Sequence, residues 1–191
     1  MLLREDKMTK FRGFISIDIG SFQKLIQFGN EIKNSGANVK LVEPENIHIT
    51  LKFLGDTDEA DIDKIEEIMK NAVNDMDSFE IKFKNVGVFP NQNYIKVLWI
   101  GIENKDKLEI IAKKIDKDLS KLGFKKEKRG FSAHLTVGRV RSAKNKDNLL
   151  QIIEKYEDIE FLNFKVDSIK LKKSELTPKG PIYTTLKDVK I

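Results

Sequence analysis

The 191-residue chain has two histidines, and each opens the same tripeptide inside a β-forming run: His48-Ile49-Thr50 and His134-Leu135-Thr136. Seven threonines in the chain give any histidine about a 4 % chance of Thr at the second position after it, so a double coincidence is a roughly one-in-a-thousand event. In an extended strand alternate side chains share a face, so each motif sets an imidazole and a hydroxyl side by side. Imidazole titrates near pH ~6.5, so two of them facing one another supply a base and an acid at neutral pH. Phosphodiester hydrolysis needs that pair: a base to deprotonate water in line with the bond being broken, and an acid for the departing oxygen. Threonine hydroxyls can donate to the non-bridging phosphate oxygens where charge builds up, and an arginine can grip one bidentately.

A single strand histidine is ordinarily a half-buried residue with its partners satisfied, and the repeat argues against that reading. A metal site is the next alternative, but there is no His-Glu-x-x-His spacing, and the acids from Asp56 to Asp63 read as charges at a helix N-terminus. Ser132 and Ser174 sit in no nucleophile elbow. The expectation is catalysis with no metal and no cofactor.

Positioning the motifs requires an alternation of strands and helices. Phe11, Gly13, Ile15, Ile17 and Ile19 alternate with Arg12, Phe14, Ser16 and Asp18 as a first strand, followed by a helix capped by Ser21 with Phe22, Leu25, Ile26, Gly29 and Ile32 on one face. The first motif strand runs 46–54, and Thr57 is placed to cap a helix whose stripe is Ile62, Ile65, Ile68, Met69 and Val73. Strands over 79–88 and 94–100 flank a turn at 89–93. A helix carrying Leu108, Ile111, Ala112, Ile115, Leu119 and Leu122 ends at Gly123. The second motif strand spans 131–140, followed by a helix at 148–156, a strand over 161–171 and a last strand at 182–186. The histidines are 86 residues apart, and each motif strand lies between two helices. This reads as a diverged duplication, giving one domain over 8–191 made of two lobes, with 1–7 as an N-terminal extension.

Composition narrows the setting. There is no cysteine, which excludes disulfides and a thiol nucleophile and fits a reducing cytoplasm. No run approaches the ~18 apolar residues of a membrane span. The net charge is only +5, but residues 125–146 hold eight basic side chains against Glu127 alone, surrounding the second motif with a surface that attracts a polyanion.

At these residues the chain resembles the two-histidine phosphoesterase superfamily, in particular the RNA 2′,3′-cyclic phosphodiesterases also called 2′-5′ RNA ligases. The likeness rests on Phe11 to Asp18, on the first motif with its Phe-Leu-Gly exit, and on the second motif with Arg139 five residues after His134. It extends to the stretch from Ser174 through Tyr183. It implies an α+β, bilobal fold of two pseudo-symmetric antiparallel sheets flanked by helices, with a central cleft carrying both motifs. It also implies metal-free opening of RNA 2′,3′-cyclic phosphate ends to 2′-phosphomonoesters, with reversible 2′-5′ ligation where a 5′-hydroxyl replaces water as the nucleophile. His48 would be the proton donor, His134 the proton acceptor, and Thr50, Thr136 and Arg139 phosphate ligands. Strict alternation turns Arg139 away from His134 and Thr136 unless a bulge, as at Gly138, or its own length returns it. Lys128 and Arg129 are candidates for the RNA backbone, and Phe14, Tyr94, Trp99 and Phe131 for stacking on a base. The expected partner is RNA, tRNA or its fragments included, met by a monomer. Two other readings remain open: a non-catalytic RNA-binding module, and an enzyme of the same superfamily acting on a small cyclic nucleotide or ADP-ribose cyclic phosphate.

Overall fold

The computed structural model describes residues 9–128, 130–178 and 180–191; the expected extension at 1–7 and the candidate Arg129 lie outside them. In chain order the elements are β1 (Lys10–Asp18), α1 (Gln23–Asn34), β2 (Val39–Leu41), β3 (His48–Asp58), α2 (Ile62–Val73), β4 (Phe79–Asn91), β5 (Tyr94–Glu103), α3 (Asp106–Lys121), β6 (His134–Val140), α4 (Lys146–Lys155), β7 (Glu160–Val166), β8 (Ser168–Thr177) and β9 (Gly180–Lys190). Two antiparallel sheets result, ordered β3-β1-β8-β9 and β2-β6-β5-β4-β7. This is the expected α+β class.

The sheets repeat one connection. β1, α1 and β3 form a strand–helix–strand in which the motif strand pairs directly with the strand that began it, and β5, α3 and β6 do the same. α2 and α3 pack on each other and against the first sheet, while α1 and α4 touch each other and strands of the second. One face of each sheet is apolar for this reason. Ile15, Ile17, Ile49, Ile169 and Leu171 lie in a single core with Ile65, Met69, Ile111 and Ile115 of the helices. Burial of stripes of this size is what holds such a layered domain together. The opposite faces carry polar side chains together with several aromatic rings, and β3 touches β6 where the two sheets meet.

Several local expectations are corrected. Thr57 does not cap α2. It is a buried residue of β3 whose hydroxyl donates to the Gly55 carbonyl at 3.1 Å, and the residue preceding α2 is Asp61. Ser21 does not cap α1, which begins after Phe22 with no side-chain cap bond. The run 161–171 is two strands, β7 and β8, parted at Asp167. Residues 131–133 precede β6 rather than forming part of it, and the short strand β2 was not anticipated.

Candidate active site

The first motif strand is bulged. Along β1, Asp18 and Ser16 face His48 and Thr50 of β3, but the next pairs are Ile15 with Lys52 and Phe14 with Phe53, so Leu51 is an extra residue. A bulge exchanges the faces beyond it. Lys52 therefore turns to the helix-packed side, where it is 5 % exposed. Phe53 turns to the side of His48 and Thr50, where it is 69 % exposed. A second bulge between the Phe53 and Gly55 pairs leaves Asp56 opposite Arg12.

His48 Nδ1 lies 2.6 Å from the Asn46 carbonyl, so the Nδ1–H donates there and Nε2 is the nitrogen left for chemistry. Nε2 is 3.0 Å from Thr50 Oγ1. The imidazole sits against Phe14 and Tyr183, at centroid distances of 5.2 and 5.4 Å, and those two rings pack edge-on at 4.9 Å. Burial in this aromatic seat pulls the His48 pKa below its ordinary value, and the charges of Lys172 and His134 pull the same way. The Asn46 carbonyl and the Asp18 carboxylate oppose them. Asp18 is itself clamped by Lys172 at 2.6 Å and Lys170 at 3.2 Å. Burial pushes the Asp18 carboxyl up, but its two lysines outweigh this and hold it below the usual range. The resting His48 is therefore neutral near pH 7.

The second motif strand repeats the device. His134 faces Gly101 and Thr136 faces Trp99, but Leu98 faces Gly138 and Val97 faces Arg139, so Val137 is the extra residue. Gly101, Trp99 and Val97 alternate on one face of β5, so His134, Thr136 and Arg139 share one face of β6. Gly138 permits this because β2 runs close by: a Cβ there would come within 2.8 Å of Val39 Cγ1. His134 Nδ1 lies 2.8 Å from the Ser132 carbonyl, the same two-residue reach as in the first motif, and again Nε2 is left over. Its ring meets Phe89 edge-on at 5.2 Å, and Phe89 leans on Trp99 at 5.1 Å. The indole lies across β4 at Gly87, where any Cβ would collide with it.

These details bring most of the sequence candidates together. His48 and His134 are near enough for the charge of one to bear on the other. Arg139 is exposed and, with Arg12, acts electrostatically on Tyr183, the residue packed on His48. Burial raises the Tyr183 pKa and those arginines oppose the rise. Phe14 is 4 % exposed and supports His48 rather than presenting a face to a base. Phe131 packs against the core, Trp99 is half covered by Phe89, and Tyr94 lies at the start of β5, beyond the β4–β5 turn. Lys128 is exposed in the segment between α3 and β6. Sequence reasoning missed Phe53, although its position five residues after His48 matches that of Arg139 after His134. It also missed Asp18, Lys170 and Lys172, whose charges converge only when β1 and β8 pair. Among the described residues no three His, Asp or Glu side chains gather closely enough to share a metal ion.

A family model described as the AKAP7 2′5′ RNA ligase-like domain matches residues 13–191. An RNA 2′,3′-cyclic phosphodiesterase of Methanocaldococcus jannaschii is 48 % identical over 179 residues, 93 % of this chain and 99 % of the relative. One of Methanothermobacter thermautotrophicus is 39 % identical, covering 93 % of this chain and 97 % of the relative. Among solved structures, TT0787 of Thermus thermophilus superposes with a TM-score of 0.72 at 21 % identity, covering 94 % of this chain and 97 % of that one. E. coli LigT complexed with 3′-AMP gives 0.72 at 18 % identity, covering 96 % and 99 %. With paired His-x-Thr strands on a matching fold, and a family model spanning nearly its whole length, this chain belongs to the 2′-5′ RNA ligase-like family of two-histidine phosphoesterases.

Proposed function

We propose that the chain opens RNA 2′,3′-cyclic phosphate ends to 2′-phosphomonoesters by acid–base catalysis without a metal. The observation that carries this reading is that both imidazoles are tied through Nδ1 to a carbonyl two residues upstream, leaving two Nε2 atoms beside a hydroxyl-bearing face. His134 accepts the proton of the attacking water as its oxygen bonds to phosphorus. His48 then protonates O3′ as the P–O3′ bond breaks. Because His48 rests neutral, it takes up its proton as the anionic phosphate enters, since a nearby negative charge favours the imidazolium. Thr50, Thr136 and Arg139 hold the non-bridging oxygens, where each donor is most valuable as charge accumulates. Exposed Phe53 supplies a face for the terminal base.

The names of the two archaeal relatives support the substrate class, and the basic run at 125–146 supports an RNA rather than a mononucleotide. A tRNA or a tRNA fragment, met by a monomer in the cytoplasm, fits that charge and the lack of cysteine. Ligation is the same ring opening with a 5′-hydroxyl in place of water: its oxygen bonds to phosphorus as the P–O3′ bond breaks, and the 3′-hydroxyl leaves protonated. Water at ~55 M prevails unless the second RNA end is held in line. We also read residues 8–191 as one domain of two duplicated lobes, on the repeated strand–helix–motif-strand connection.

The test is turnover of 2′,3′-cyclic AMP and of a short RNA ending in a 2′,3′-cyclic phosphate, in EDTA, beside His48→Ala and His134→Ala. A 2′-phosphate product, lost in both variants, is expected. Folded wild-type protein that binds RNA without turnover would instead identify a binding module. Turnover of the mononucleotide but not the RNA would identify an enzyme for small cyclic phosphates.

A further inference from the structure

Lys52 is an ammonium on the wrong side of its strand. The Leu51 bulge turns it from the cleft into the helix-packed face, where it is 5 % exposed. A charge so placed must be met by partners or it destabilises the fold. It has two: Asp116 Oδ1 of α3 at 2.6 Å and the carbonyl oxygen of Lys125 at 2.6 Å. The same Asp116 oxygen accepts the backbone N–H of Glu127 at 3.0 Å. Burial raises the Asp116 pKa, but Lys52, the Glu127 N–H and the charge of Lys126 hold it below the ordinary range, so the carboxylate is ionised at neutral pH. One buried pair thus fastens residues 125 and 127, a few residues beyond the end of α3.

His134 does not need this fastening. It is held by β5 through its pairing with Gly101, and its ring by the Ser132 carbonyl. What the pair fixes is the stretch bearing Lys125, Lys126 and Lys128, all exposed. A free loop would lose conformational entropy on meeting an RNA backbone, whereas a fastened one has already lost it. We propose that Lys52 is a positioning residue that holds 125–128, through Asp116 and the Lys125 carbonyl, as a preorganised phosphate-binding edge for the RNA body upstream of the reacting end. This rests on the reading of the substrate as RNA.

The experiment compares Lys52→Met, Lys52→Met/Asp116→Leu and the triple variant Lys125→Glu/Lys126→Glu/Lys128→Glu. The readouts are Tm, kcat/KM on 2′,3′-cyclic AMP and on a cyclic-phosphate RNA, and Kd for an RNA ending in 2′-phosphate over a salt series. The double variant replaces the buried ion pair with apolar groups, which restores the stability lost when Lys52 alone is removed, yet leaves the loop unfastened. RNA affinity should fall about tenfold in all three variants, with a shallower salt dependence in the triple. Mononucleotide turnover of the two Lys52 variants should stay within about twofold of wild type, because Lys52 and Asp116 meet on the helix-packed side of β3, away from His48. Recovery of RNA affinity together with Tm in the double variant would reduce Lys52 to a structural role and overturn the proposal. So would a parallel loss on both substrates. If the triple variant is silent and the wild type binds RNA no better than mononucleotide, the RNA reading itself fails.

Discussion

Five residues after His48 the cleft face carries Phe53, and five residues after His134 it carries Arg139. One bulge in each strand produces both placements, so the backbone presents the same three positions twice: imidazole, hydroxyl, and a variable third group. The fourth positions differ as well. Lys52 is a buried ammonium fastened to α3, and Gly138 is a bare backbone crowded by β2. The surroundings of the imidazoles separate further, with Phe14, Tyr183 and the Asp18–Lys172 pair around His48, and Phe89 on Trp99 beside His134. A repeated scaffold thus carries an apolar third group on one side and a cationic one on the other. A cyclic phosphate with its base attached needs that asymmetry, since one end of the nucleotide is anionic and the other is a flat ring.

The largest test of that comparison removes what the halves share. His48→Ala and His134→Ala should each lower kcat on a 2′,3′-cyclic mononucleotide by about 10²–10⁴-fold, the usual worth of a general acid or base. A variant that keeps most of its rate would show that its half only binds. The next test addresses the third position. If Arg139 holds phosphate as proposed, Arg139→Ala should cost the about 1.5–3 kcal/mol of a charge-assisted contact, or roughly 10–10²-fold in kcat/KM. Phe53→Ala should act mainly on KM, by the about 1–3 kcal/mol that stacking contributes per base, with kcat nearly kept. Equal effects of the two on kcat would erase the division between phosphate and base sides.

Sequence alone revealed the halves better than their difference. Motif spacing marks His48, Thr50, His134 and Thr136, and helical stripes such as Leu108, Ile111, Ala112 and Ile115 mark the layers, because both are local patterns of period 2 or 3.6. The bulges are not local. Leu51 and Val137 look like ordinary alternating strand residues, and only the pairing with β1 and β5 shows that each has no partner of its own. Hence alternation misassigns the residues directly beyond them, Phe53 and Arg139 included. Thr57 was misread for a related reason: a threonine before acidic residues resembles a cap, but β3 runs on to Asp58 because β1 supplies pairing partners that far.

A smaller effect should appear in the pH profile. Around His48 stand Asp18, Lys170, Lys172, Tyr183 and His134. Lys172→Met deletes a cation that lowers the His48 pKa and leaves Asp18 with Lys170 alone. The His48 pKa should then rise, and the limb of kcat/KM that titrates this group should move to higher pH in the variant. An unmoved limb would mean that the aromatic seat alone sets the value and that the charged pair is irrelevant to the difference between the halves.

The smallest effect is on stability. Because burial holds the folded-state pKa of His48 below the unfolded value of 6.5, the unfolded chain binds the proton more readily as pH falls. The neutral imidazole's contribution to stability is therefore complete above about pH 6.5 and is lost as the pH drops through the folded pKa. His48→Gln, which cannot take up that proton, should show a shallower loss of Tm than wild type between pH 7 and pH 5, with Asp18 held common to both. Parallel Tm curves would mean that folding does not depress the His48 pKa, and burial in the aromatic seat would then have to be abandoned as an influence on its protonation.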